Sequence, residues 1–475
     1  MYDPLRIPSF GLREKTIYRL LNTESPMRLT RLIHPNSFGI CLLGCCGLLA
    51  WLSRAPQFLN LPTFAGTMGL MFAFYVIAYR TIQQSGSHMA RTVFFWALLL
   101  RLSGLLGEPI FEDDYFRYLW DGYRFASDGT PFGRPPESFF NDPSVPKAFR
   151  TILSQINHPD IPTIYAPTFQ YFFLIANWIA PGQLWALKLL LIAADLLLIQ
   201  GLFRFAGAKQ TLLYAWNPLV IKEIAFTAHP DGLIPALLIG SWLFSSRGRP
   251  IIAGLMLVAA VASKASAWLL VPFIAINIGC LGIAAFVGGY LLLYLPFWVQ
   301  GATDMTGLRV FAQEFEFNSA LYGLIRLGLP ANWTKMLLGI AFIGMTSVYF
   351  FRYWRLGSQN LPRGDWLFGG LLIISPVINP WYLLWLMPFA CIYSGLGVWI
   401  ASAALILSYV TGLNLQDFVF APYEHPSWVR PLEFGIIALG MAFDKRQSVR
   451  TPSQSRGLDE YFQPCELPEF NQRMN

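Results

Sequence analysis

The 475-residue sequence predicts an all-α, polytopic membrane protein of about 14 spans, and three observations carry that reading. Hydrophobic residues make up 55% of the chain and charged residues only 13%, about half the charged share of an ordinary soluble domain. Apolar runs of membrane-span length recur from residue 38 to residue 443. Basic residues gather in alternate loops, so the formal charge of +7 reads as topology and not as nucleic-acid binding. A soluble fold is excluded. Of the six cysteines, Cys41, Cys45, Cys46, Cys280 and Cys391 lie in apolar runs and Cys465 in the tail; no CxxC pair occurs, so neither a disulfide framework nor a zinc site is indicated.

The elements follow in order. Residues 1–37 hold six arginines and lysines ahead of any apolar run, too long and too charged for a cleavable signal, and are placed in the cytoplasm. Spans follow at 38–53, 61–79 and 92–106, with Arg80 and Arg91 inside. Residues 107–183, rich in Pro, Asp and aromatics, form a long external loop; its one apolar stretch, 168–180, is short and reads as an interfacial or re-entrant helix. Spans at 184–203, 211–227 and 232–246 turn inside at Arg204 and Lys209 and again at Arg247 and Arg249. The run 250–277 divides into two limbs meeting externally at Lys264, and 281–298 leads out to a second external loop, 299–332. Residues 333–351 return to Arg352 and Arg355, 365–376 and 380–393 meet externally at Asn379, and 396–412 and 431–443 complete the membrane domain. The polar, Pro-containing tail 444–475 is expected to be cytoplasmic and disordered.

This path brings the unusual polar clusters to one face: Glu112-Asp113-Asp114, His158-Pro159-Asp160, His229-Pro230-Asp231, Lys264, and the turn Asn379 to Tyr382. An acidic run in a wet loop is ordinarily a solvated surface. Here it follows a span directly and precedes an aromatic, helix-compatible run that sets Asp114, Tyr118, Asp121 and Phe125 on one face. A shared external site is the natural inference.

The segment FEDDYFRYLWDGYRFASDGTPF resembles the first external loop of the GT-C superfamily of membrane glycosyltransferases. It is most similar to that of the bacterial polyprenol-phosphate-mannose-dependent alpha-mannosyltransferases, in which an acid pair precedes RYxWDG. AWNPLVIKEIAFTAHPDGL, KASAWLLVPF and ISPVINPWYLLWLMPF resemble later motifs of that family in the same order, so the likeness covers roughly residues 92–393. One departure is Tyr165-Ala166-Pro167, where the family has Tyr-Pro-Pro.

The resemblance implies a GT-C fold in a bacterial cytoplasmic membrane, with the active site on the external face. The implied donor is a sugar, mannose by first expectation, linked through phosphate to a polyprenol; the acceptor is a glycolipid or glycan, and membrane lipid is the other partner. In a single inverting displacement one carboxylate deprotonates the acceptor hydroxyl. The leaving phosphate needs a cation and no acid. Asp114 is the expected base. Asp113 is the alternative, although Arg117 and Arg124 are candidate partners for it and N-capping a candidate role. Lys264 and Arg117 are candidates for the phosphate, since a lysine within an apolar run costs about 2.5 kcal/mol or more unless it is partnered or at a polar edge. Tyr118, Trp120, Asp121, His158, Tyr165, His229, Asp231, Asn379, Trp381 and Tyr382 are candidates for holding sugar or acceptor. Lys222 and Glu223 read as a self-satisfying pair.

No cofactor is required in this reading. An acid pair can hold a divalent ion, but one cation neutralises a single phosphate, so the metal-free site is favoured. A transporter or flippase, with Arg101, Lys188, Asp195, Lys222, Glu223 and Lys264 as coupling residues, is the competing class, and a non-catalytic scaffold the third.

Overall fold

The computed structural model describes residues 35–82, 87–358, 360–393, 395–412 and 423–450, with side chains of the last helix to residue 442. The expected cytoplasmic segment lies outside the described residues up to residue 34, as does the tail beyond residue 450, including Cys465. Among the described residues all regular structure is helical, apart from one isolated parallel bridge between Phe317 and Val377.

The first three helices, α1 (Pro35–Arg54), α2 (Leu61–Thr81) and α3 (Ser87–Ser103), match the first three expected spans. Asn60 and Thr63 start α2 with a reciprocal capping box, which satisfies two amides that nothing in the helix could reach. The long loop that follows carries α4 (Asp114–Asp128), α5 (Lys147–Leu153) and α6 (Pro167–Ile179). At 13 residues α6 is about 20 Å long, too short to cross the hydrocarbon, and it packs against α4.

Next come α7 (Leu184–Ala215), α8 (Leu233–Ser246), α9 (Pro250–Val261) and α10 (Val271–Val299). Left-handed glycines kink α7 at Gly207 and α10 at Gly279, at the two places where the sequence turns between spans. The second polar loop holds α11 (Met305–Glu314) and α12 (Leu321–Arg326), and α13 (Ala331–Arg355), α14 (Gly364–Ile374), α15 (Met387–Tyr393), α16 (Leu396–Ala404) and α17 (Val429–Arg450) complete the bundle. Helix α17 continues seven residues past the last expected span.

Six helices among the described residues are long and apolar enough to cross a membrane: Pro35–Arg54, Leu61–Thr81, Ser87–Leu106, Leu184–Ala215, Ala265–Val299 and Ala331–Arg355. Other expected spans are broken. The stretch expected at 211–227 leaves α7 at Ala215, is capped by the Asn217 side chain, and passes through Pro218–Val220 into a π-helical turn, Ile221–Phe226. Residues 211–235 are buried without interruption, so this segment runs through the centre of the bundle. The limbs at Lys264 and Asn379 are likewise interrupted by 3-10 turns, Ala265–Leu270 and Pro380–Trp385.

The ionisable groups in these helices find partners inside the protein. Arg101 meets Asp195 at 2.9 Å, Asp195 accepts from the Tyr214 hydroxyl at 2.5 Å, and Lys188 donates to the carbonyls of Gly104 and Gly107 at 3.1 and 2.7 Å. These satisfied contacts account for three of the charges that a transporter would assign to coupling.

Gly122 sets how closely α4 approaches α6, because a Cβ there would lie 2.5 Å from the Phe173 carbonyl oxygen. Gly122→Ala should therefore lower stability by about 1–3 kcal/mol through overpacking. Thermal unfolding of the detergent-solubilised protein checks this, and an unchanged midpoint would show that the two helices can part at no cost.

Candidate active site

Helix α4 begins where the chain leaves the bundle, and its first turn carries the acid pair. Asp113 occupies the N-cap position, yet its side chain makes no capping bond. Its Oδ1 accepts instead from the Asn157 amide at 2.7 Å and from the Tyr423 hydroxyl. The same Asn157 amide donates to Asp114 Oδ1 at 3.2 Å, so one NH2 group spans both carboxylates. Asp114 Oδ2 accepts from the Tyr165 hydroxyl at 3.3 Å and faces His229 Nε2 at 3.8 Å.

A cavity of about 490 Å³ opens beside Asp114, within the range of small-ligand sites. Its walls come from both polar loops and from the broken limbs. Of the residues singled out in the sequence, Asp114, Arg117, His158, Tyr165, Asp231, Lys264, Asn379, Trp381 and Tyr382 line it. Asp160, Phe315, Phe317 and Tyr423 line it too.

Lys264 donates to Asp231 Oδ1 at 2.8 Å and sits over the Tyr382 ring at 4.3 Å. The Trp385 indole donates to the same Asp231 oxygen at 2.7 Å. Lys264 therefore does not snorkel to an interface; it is fixed at the cavity wall, with one of its three donors engaged by Asp231. Arg117 and Arg124 do not pair with Asp113. Arg117 holds the carbonyls of His158 and Ile161, both at 3.0 Å, and Arg124 pairs with Asp128.

Four candidates lie behind the cavity wall. Tyr118 is buried, stacked on Phe173 with centroids 4.9 Å apart. Trp120 belongs to a satellite core with Phe139, Phe149 and Ile156, the apolar centre of the first loop. Asp121 is buried in the helix interior, where it accepts from Thr163 at 2.5 Å and Gln170 at 2.9 Å. His229 is fully buried, stacked on Trp381, with Nδ1 2.7 Å from Glu223 Oε2. Glu223 also lies 3.2 Å from Lys222, but the two do not satisfy each other alone, because the same carboxylate meets His229 and Tyr409.

Burial opposes ionisation of Asp114, but His229, Asn157 and Lys264 outweigh it and hold its carboxyl below the usual aspartate range. Burial and the neighbouring Asp114 push Asp113 up. The pair is thus split, with the ionised member at the cavity. No group of three or more His, Cys, Asp or Glu side chains among the described residues is arranged to hold a metal ion.

A family model described as "Alpha-(1->6)-mannopyranosyltransferase, N-terminal domain" matches residues 42–279, half of the chain. The chain belongs to this mannopyranosyltransferase family. The matched region carries the acid pair, His229, Asp231 and Lys264, while Asn379, Trp381, Tyr382 and Tyr423 reach the cavity from beyond it. No curated protein and no solved structure matches the chain. The mannopyranosyltransferase family together with the apolar helices makes this a membrane glycosyltransferase.

Asp121 links α4 of this mannopyranosyltransferase to the strap that bears Asn157 and Tyr165. Burial raises its carboxyl from 3.8 to about 6 despite its donors and Arg117. An acid raised on folding leaves stability complete below its unfolded value and removes it as pH climbs through the folded value. Wild-type stability should accordingly fall between about pH 4 and about pH 6, by on the order of 3 kcal/mol in all. Asp121→Asn keeps one oxygen to accept from Thr163 and Gln170 and cannot ionise. Unfolding midpoints measured from about pH 4 to about pH 7 should lose this slope in the variant. An identical slope in both proteins would remove Asp121 as its source.

Proposed function

We propose that the protein is an inverting mannosyltransferase that moves mannose from a polyprenyl-phosphate donor to a glycan or glycolipid acceptor at the external face of a bacterial cytoplasmic membrane. The observation that carries this reading is the pairing of Asp114 and Lys264 on one cavity, an ionised carboxylate and a cation on the walls of a space of about 490 Å³.

Asp114 accepts the proton of the acceptor hydroxyl as that oxygen bonds to the anomeric carbon. The bond from the anomeric carbon to the phosphate oxygen breaks, and its electron pair leaves with the phosphate. An oxocarbenium-like transition state makes the attacking hydroxyl acidic late, so a weak, fully ionised base suffices. The long Tyr165 contact leaves Oδ2 open to the hydroxyl.

Lys264 keeps two donors beyond its contact with Asp231 and, with Arg117, offsets the charge of one phosphate, so the step needs no metal. Trp381 and Tyr382 supply aromatic wall beside the cation. A donor whose lipid tail stays in the bilayer has to enter sideways, between the limbs that meet at Lys264 and Asn379. Asp113 serves in this reading by fixing Asn157, which in turn orients Asp114.

The two central residues should fail differently. Asp114→Asn should lower kcat with little change in donor KM, because the proton moves only in the transition state. Lys264→Met should weaken donor binding by about 1.5–3 kcal/mol, a charged hydrogen bond, and slow turnover as well. Titration of purified protein in nanodiscs with a short-chain polyprenyl-phosphate sugar separates the two. Unchanged kcat for Asp114→Asn removes the base assignment, and donor affinity indifferent to Lys264→Met removes the phosphate assignment.

A further inference from the structure

Behind Asp114 lies a chain of buried ionisable groups that the proposed displacement does not use. Glu223 and His229 are both fully buried, and Glu223 Oε2 lies 2.7 Å from His229 Nδ1. The other Glu223 oxygen accepts from the Tyr409 hydroxyl and lies 3.2 Å from Lys222 Nζ. On the far side of the imidazole, Nε2 faces Asp114 Oδ2 at 3.8 Å and has no hydrogen-bond partner. The ring is fixed in plane, stacked on Trp381 with centroids 4.0 Å apart and planes 12° apart.

The backbone is bent to make this arrangement. In a regular α-helix residues 223 and 229 would point about 120° apart. Here a π-helical turn, Ile221–Phe226, is followed by Ala228 at φ +63°, a conformation that a residue with a Cβ adopts only at a cost. The His229 amide then donates to the Glu223 carbonyl at 2.9 Å, so backbone and side chains of the two residues are locked together. A π-turn and a strained alanine in succession serve to aim one ring.

A carboxylate can only accept, so the Glu223 contact places a proton on Nδ1, and the Nε2 edge presented to Asp114 is favourable only if it too carries one. We propose that Glu223 and His229 are positioning residues for the base: Glu223 holds His229 as a donor, and His229 Nε2–H closes onto Asp114 when the acceptor fills the cavity. This rests on the reading of Asp114 as the base. The contact fixes the rotamer of Asp114 and keeps it ionised until the acceptor proton arrives; His229 gives up no proton in the step. Other charged groups face the pair with opposing effects, Glu112, Asp113 and Asp231 against Lys222 and Lys264, and the phenols of Tyr118, Tyr165, Tyr382 and Tyr423 near Asp114 and of Tyr409 on Glu223 also surround it. Burial disfavours the imidazolium, but Asp114 and Glu223 outweigh it and raise His229 to about 9.

The test is Glu223→Gln combined with Lys222→Met, which removes the acid without leaving a buried charge alone. We expect kcat to fall by about tenfold or more with donor KM within about twofold, and the acid limb of kcat/KM against pH to move up by about one unit as Asp114 loses its cationic neighbour. A merely structural pair would lower the unfolding midpoint and leave that limb in place, which would overturn the inference. If the double variant does not fold, His229→Gln is measured in the same way, with the same two outcomes.

A second readout does not depend on turnover. The chain has five histidines. Imidazole carbon-proton spectra of the labelled protein, with His229→Gln to assign the signal, should show His229 charged and not titrating between about pH 6 and about pH 8. An ordinary midpoint in that window would sink the proposal even if Asp114→Asn is inactive. Full turnover in Asp114→Asn with a non-titrating His229 would instead remove the base reading and leave the Glu223–His229 pair standing.

Discussion

Placing a charge inside an apolar helical bundle costs several kcal/mol, and the protein has to supply the partner because lipid cannot. That requirement organises this molecule. Arg101 and Asp195 join α3 to α7, Lys188 ties α7 to the carbonyls that end α3, and Asp231 and Lys264 draw together the breaks before α8 and after α9. Lys222, Glu223 and His229 do the same in the central stretch 211–235 and end against Asp114. At Asp231, Lys264 and His229 the ionic contacts fall where helices stop, so there the breaks in the spans and the polar side chains coincide.

The cavity is the product of those breaks. Helices α9 and α14 end at two of these breaks, and the 3-10 turns that follow them present Lys264, Trp381 and Tyr382 to the cavity. The first polar loop closes over them through α4, held on α6 by Gly122, and through the strap pinned by Asp121, Thr163 and Gln170. Arg117 grips the same strap at two carbonyls. Asp114 thus stands on a helix held by Gly122 and Asp121 behind the cavity wall and by Arg117 on it.

Much of the site was legible because its residues are costly where they stand. A lysine within an apolar run and an acid pair directly beyond a span both need a reason, and both prove to line one cavity. Asp121 and Trp120, candidates for holding sugar or acceptor, are both buried, one in a hydrogen-bonded link and one in a satellite core. On the same helix Asp114 and Arg117 reach the cavity, and residue type alone does not tell which face is wet. Asn157 and Tyr423 carried no signal: an asparagine in a loop is ordinary, and Tyr423 meets Asp113 across 310 residues. The Glu223–His229 contact was hidden for another reason. It depends on a π-turn and a left-handed alanine, and neither follows from residue type. Window length sees 211–227 as one continuous apolar run where the chain passes through a π turn, whereas the break in 250–277 is legible because Lys264 marks it.

The account stands on a single displacement at the anomeric carbon with a lipid-phosphate leaving group, and the product records that event. Purified protein in nanodiscs is supplied with polyprenyl-phosphate mannose labelled with carbon-13 at the anomeric position and with a mannan oligosaccharide, and the anomeric configuration of the new linkage is read by NMR. The account predicts transfer of the label with configuration opposite to that of the donor. Retained configuration, or transfer from a nucleotide sugar and none from the lipid phosphate, would contradict it.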